Sequence, residues 1–177
     1  MYYFVRFIKK TLRYLLKPLS FAPAILMMYL IFTFSGQDGT QSAGLSLKVS
    51  RHLVMAYNKI RPVKLDSAGI NALMIQIHPY VRKGAHVTEY LLLAMTVALP
   101  LYVYRIRGFL LTFIGIVFCV AFAAADEFHQ SFVAGRVADP KDVAIDSIGI
   151  VIGIIIIQII CHIGRSTIFH WLVLDED

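Results

Sequence analysis

Residues 108–125 carry no charged side chain, and residues 143–163 carry a single one, Asp146. An apolar helix of about 20 residues matches the roughly 30 Å hydrocarbon core of a bilayer. A soluble α-domain of this size would have to leave such runs as large apolar patches in water. Residues 18–35 and 83–104 have the same length and character, and the chain as a whole is 58% hydrophobic, only 16% charged and positive in mean hydropathy at +0.70. In lipid the backbone polar groups of a span must be satisfied within the protein, which leaves helices for runs of this kind. The expected fold is therefore an all-α integral membrane protein with four transmembrane helices at about 18–35, 83–104, 108–125 and 143–163.

The connections have characters of their own. Residues 1–17 place Arg6, Lys9, Lys10, Arg13 and Lys17 among aromatic and aliphatic residues, as suits a basic segment at the interface beside acidic lipid. No Ala-x-Ala type cleavage site follows Phe34-Ser35-Gly36, so the first span reads as an uncleaved anchor. Residues 37–80 are expected to form an amphipathic helical lid between the first and second spans. There Leu45, Val49, Leu53, Ala56, Tyr57 and Ile60 share one arc of a helix lying on the membrane or on the bundle. Asp66 is placed to cap a second, shorter helix with Ile70, Leu73, Met74 and Ile77 on its inner face, ending at His78-Pro79. Residues 164–177 read as a solvated cytoplasmic tail, so the membrane domain covers residues 18–163.

The formal charge of +6 does not point to nucleic acid, because the basic residues are scattered near the ends of the spans, where anionic headgroups lie. Lysine and arginine divide almost evenly between the two sides, but five of them precede the first span, which favours cytoplasmic N- and C-termini. Cys119 and Cys161 lie inside spans, without Cys-x-x-Cys spacing, and read as packing residues.

This topology brings three polar clusters to one membrane face. At 100° per residue, Arg82, Lys83, His86, Glu89 and Tyr90 cover about 120° of the second span. Asp126, Glu127, His129 and Gln130 cover about 160° at the end of the third, and Asp142, Asp146, Gly149 and Gly153 fall within about 60° at the start of the fourth. Gly149-x-x-x-Gly153 permits close helix approach, so the face that carries Asp146 is expected to point into the bundle. Arg136 follows in the connecting stretch. Charges at a membrane edge are costly and are kept mainly where they bind or react. Asp139-Pro140-Lys141-Asp142 also has the form of a helix start, which gives Asp139 and Asp142 a capping role. Glu89 has an alternative role as counter-charge to Arg82 or Lys83, and His86 as a hydrogen-bonded packing residue.

Three chemistries fit. Arg82, Lys83, Arg136 and Lys141 can grip a phosphate or carboxylate, Arg136 bidentately, with His86, Glu89, Asp126, Glu127, Gln130 and Asp146 completing a ligand-binding site. Membrane lipids, or a cell-wall lipid precursor, are then the partners. A hydrolase is the alternative, with Glu127 or Asp126 activating water and His86 or His129 as proton partner. It is either unassisted or helped by a metal on His86-x-x-Glu89, although no His-Glu-x-x-His or cysteine pair is present. No metal or cofactor is assigned. The third possibility is a scaffold that docks envelope proteins through the lid.

The chain resembles the VanZ-like family of small bacterial membrane proteins. The likeness is carried by Phe34-Ser35-Gly36-Gln37 with Ser42 and Ser46, by Arg82-Lys83-Gly84-Ala85-His86-Val87-Thr88-Glu89-Tyr90, by Asp126-Glu127-Phe128-His129-Gln130 with Gly135-Arg136, and by Asp142-Val143 with Asp146, Gly149 and Gly153. The resemblance implies a role in the cell envelope, an association with reduced susceptibility to the glycopeptide antibiotic teicoplanin, and an outward-facing polar cluster. It supplies no catalytic residues.

Overall fold

A computed structural model describes residues 17–136 and 139–167. The basic N-terminal segment and the end of the tail lie outside the described residues. The described chain consists of five α-helices: α1 (Ala22–Ser35), α2 (Gly39–Ile60), α3 (Ser67–Val103), α4 (Gly108–Gln130) and α5 (Pro140–Thr167). Four segments are helical, long and apolar enough to cross a membrane, at Lys17–Ser35, Ser67–Val103, Gly108–Gln130 and Pro140–Gly164.

The first difference from expectation is at Pro79. The two helices expected on either side of His78-Pro79 are one helix of 37 residues, with Pro79 and Pro100 inside it. Proline removes one backbone bond and crowds the carbonyl four residues before it, a cost of about 3 kcal/mol in an isolated helix. Here the deprived carbonyl belongs to Ile75, which is exposed, and the same stretch is held laterally by α2, where Ser46 Oγ and His78 Nε2 lie 2.9 Å apart. Asp66 caps the start as expected, its Oδ1 accepting from Gly69 N at 2.8 Å. A helix of this length is about 55 Å long, so α3 extends roughly 25 Å beyond the hydrocarbon core.

The second finding concerns α2. Against α3 it buries Ser46, Ser50 and Val54, while Leu45, Val49, Leu53 and Ile60 of the apolar arc remain exposed, Leu45 and Ile60 at 69% and 80%. The arc thus faces away from the rest of the described protein. On α3 the half-buried Ile70, Leu73, Met74 and Ile77 form the inner face, as expected.

The core runs between α3, α4 and α5. Tyr90, Leu93, Ala94, Val97 and Ala98 from α3 meet Leu111, Gly115, Cys119 and Ala123 from α4 and Ile150, Ile154 and Ile157 from α5. Both cysteines are free. The α3–α5 seam depends on missing side chains. A Cβ added at Gly149 would run into the Val87 carbonyl oxygen, and one at Gly153 into that of Leu91. Backbone lies against backbone there, the close approach that small residues permit in membranes. By contrast, long side chains on the outer faces, such as Leu26, Phe32, Phe113, Ile152 and Ile159, are left exposed, as lipid requires.

Gly149→Ala is expected to cost roughly 1–3 kcal/mol by overpacking, a fall of about 2–12 °C in the unfolding midpoint for a chain of this size. Gly84→Ala, where the added methyl meets nothing within 4 Å, should leave the midpoint unchanged or raise it slightly. Thermal unfolding of the detergent-solubilised variants, followed by circular dichroism, checks both.

Candidate functional site

The end of α1, the middle of α3, the end of α4 and the start of α5 converge on a polar centre organised by Asp126. This residue is 3% exposed. Its Oδ2 accepts from Ser35 Oγ at 2.7 Å, from Tyr90 OH at 3.0 Å and from Gln130 Nε2 at 3.0 Å. Three neutral donors from three helices thus hold a carboxyl group that has no cation in contact among the described residues, and its buried Oδ1 has no hydrogen-bond partner among them. Gln130 Nε2 also donates to Ser35 Oγ at 3.1 Å, so its amide nitrogen is committed to this side. Its Oε1 is therefore turned outward, where Arg136 Nη1 donates to it at 2.7 Å. Arginine has no acceptor, so this orientation of the amide is the one that serves both neighbours.

Arg136 is set by a short turn after α4, where Gly135 adopts φ +75°, a left-handed conformation natural to glycine. The turn is seated on the start of α2, with Gly39 N donating to Ala134 O at 3.3 Å and a Cβ at Gly39 only 2.9 Å from the Gly135 carbonyl oxygen. Besides Gln130, Arg136 donates from Nη2 to Phe34 O at 3.4 Å, and its Nε is buried without a partner among the described residues. Burial, and after it the facing Arg82 guanidinium, pull the Arg136 pKa below its ordinary value, while Asp126, Glu127 and Glu89 act in the opposite direction. Arg82 itself makes no hydrogen bond or ion pair among the described residues.

Beside this centre opens a cleft of about 280 Å³ lined by His78, Pro79, Arg82, Lys83, His86, Glu127, Gln130, Gly135, Arg136, Asp142, Ile145 and Asp146. Of the residues expected at the site, Arg82, Lys83, His86, Glu127, Gln130, Arg136 and Asp146 are brought together here. Asp126 lies behind the cleft as the anchor of the network. Glu89 is off the cleft wall, its Oε2 3.7 Å from His86 Nδ1. His129 is also off the wall, its ring stacked on Phe32 with centroids 4.1 Å apart. Among the described residues no three His, Cys, Asp or Glu side chains are grouped to hold a metal ion.

The start of α5 combines capping with pairing. Asp139 caps it, Oδ1 accepting from Lys141 N at 2.9 Å, and Asp139 N donates to Glu127 Oε1 at 2.7 Å. Asp142, expected to serve free amides, instead pairs with Lys83 Nζ at 2.8 Å across to α3. Asp146 is 5% exposed and makes no hydrogen bond or ion pair among the described residues. Sequence reasoning did not place Ser35, His78 or Pro79 at the site. A serine at the end of an apolar span is a weak signal, and the placement of His78 depends on the unbroken helix.

Four apolar helices, with a polar cleft between α3, α5 and the α4–α5 connection at one end, define a multi-pass membrane protein. The chain belongs to the VanZ/LLP1 family, whose model matches residues 20–161. Comparison with curated proteins and with solved structures gives no match.

Ser35→Ala and Tyr90→Phe each remove a donor from the same buried oxygen and should each cost about 1–3 kcal/mol. Because they share Asp126, the double variant should depart from additivity by at least about 0.5 kcal/mol. Unfolding in mixed micelles, measured for the two single variants and the double, checks this.

Proposed function

We propose that the cleft binds the anionic headgroup of a membrane lipid or of a lipid-linked cell-wall precursor, with the cleft facing outward and both termini in the cytoplasm. The observation that carries this is the pair Arg82 and Arg136. Both line one cleft, and neither is in ion-pair contact with a carboxylate among the described residues. Arg136 donates instead to two neutral oxygens. Two guanidinium groups that repel one another, with no carboxylate in ion-pair contact among the described residues, are a costly arrangement, which a bound phosphate or carboxylate relieves. Lys83 contributes less, because Asp142 already neutralises it at the rim. The position of the cleft at the end of the apolar helices suits a ligand whose chain stays in the bilayer. In this reading α2, as a lid, has its apolar arc in the leaflet and its serine face towards the site, and the teicoplanin association of VanZ-like proteins follows from contact with envelope lipid.

A second reading has one specific observation in its favour: Glu127 and His86, a carboxylate and an imidazole, line the same cleft. With Glu127 as base and His86 as proton partner the site would hydrolyse a lipid-linked ester. That pairing is favoured over one with His129, which is stacked away on Phe32.

Native mass spectrometry of the detergent-released protein separates these readings. Wild type is expected to retain an anionic lipid, and Arg136→Ala to lower that retention about tenfold or more, as loss of a charged hydrogen bond implies. Unchanged retention would remove Arg136 from the binding site. For the second reading, turnover of a lipid-linked phosphoester should vanish in Glu127→Gln.

A further inference from the structure

The acidic side of the cleft narrows the ligand further. Glu127 Oε1 is occupied by Asp139 N, and Asp142 by Lys83. Asp146 lies one helical turn further along α5, about 6 Å on. It lines the cleft, is 5% exposed, has no hydrogen bond or ion pair among the described residues, and its Oδ1 is fully buried. A buried carboxyl without a partner costs the desolvation of that group. A phosphodiester that carries no donor, placed on Arg82 and Arg136, would not relieve it, since it offers acceptors only and leaves an ionised Asp146 unpaired. A headgroup that carries a hydroxyl or an ammonium next to its phosphate satisfies both sides at once. Size agrees: about 280 Å³ has room for a glycerol- or ethanolamine-sized group.

We infer that the ligand is a small phosphodiester headgroup bearing a hydrogen-bond donor, its phosphate on Arg82 and Arg136 and its hydroxyl or ammonium on Asp146. This rests on the headgroup-binding function proposed above and selects within it.

The test uses the full-length protein in detergent and native mass spectrometry with dioleoyl lipids that differ only in the headgroup. Phosphatidylmethanol is a phosphodiester without a donor, phosphatidylglycerol adds hydroxyls and phosphatidylethanolamine adds an ammonium. Wild type should retain one of the latter two at least about tenfold more than phosphatidylmethanol, as expected for a charge-assisted hydrogen bond. Asp146→Ala should erase the preference while phosphatidylmethanol retention persists. Asp146→Asn keeps the shape and an acceptor, so a preference that survives in it assigns a hydroxyl, and one that disappears assigns an ammonium. Displacement by free glycerophosphoglycerol or glycerophosphoethanolamine, the matching soluble phosphodiesters, would assign the same chemistry to a soluble ester, and their failure to displace to the lipid-borne form. Equal retention of all three lipids by wild type, or a preference unchanged in Asp146→Ala, overturns the inference and leaves the anion site standing. Retention of every lipid unchanged in Arg82→Ala and Arg136→Ala overturns the anion site itself.

Discussion

The carboxylate of Asp126 is the constraint from which the polar end of this protein is built. A carboxyl buried this deeply needs hydrogen bonds, and with no cation in contact among the described residues its donors are neutral ones. Ser35, Tyr90 and Gln130 provide them from α1, α3 and α4. Satisfying the acid therefore fixes three helices relative to one another. It also turns Gln130 so that its carbonyl faces outward, and this carbonyl positions Arg136. A residue that does not line the cleft thus sets the direction of one that does.

A second constraint, steric and not electrostatic, brings up the other wall. Gly149 and Gly153 let α5 lie against the backbone of α3 at Val87 and Leu91. Asp146 is close to one turn before Gly149 on the same helix, so the contact that packs the seam also sets the depth of the carboxyl. Both contacts run through α3, and together they bring Arg82, Glu127, Arg136 and Asp146 to the lining of one cleft. At the rim Lys83 and Asp142 meet, and there the side chains are partly exposed and the pairing is weak in consequence.

Much of this was legible in the sequence because lipid imposes a simple rule on long apolar runs. The four spans, the inward glycine face of α5 and the gathering of Arg82, Glu127, Arg136 and Asp146 at one end follow from length and helical period. What escaped depends on tertiary contact. Pro79 predicts a helix end from local sterics, yet α3 continues through it where the stretch packs laterally on α2. The arc of Leu45, Val49 and Leu53 was visible, but which way it faces is decided by the small Ser46 and Ser50 fitting against α3. His129 has the same period-based claim on the site as Gln130, and only the stacking partner Phe32 reveals that it points elsewhere.

Of the four apolar helices, α1 is the most loosely held, burying only Ala24, Ile31 and Ser35 among its own residues. Its polar tie is to Asp126 and Gln130, which lie 91 and 95 residues further along the chain. During synthesis α1 is made before the other three apolar helices, but the groups that fasten its end are made only when α4 is complete, and Arg136 after that. Until then Ser35 has no partner of this kind, and the first helix remains a tether. Closure of the polar end is therefore a late event of membrane assembly, and a chain stopped before α4 would have its anchor in place and no site.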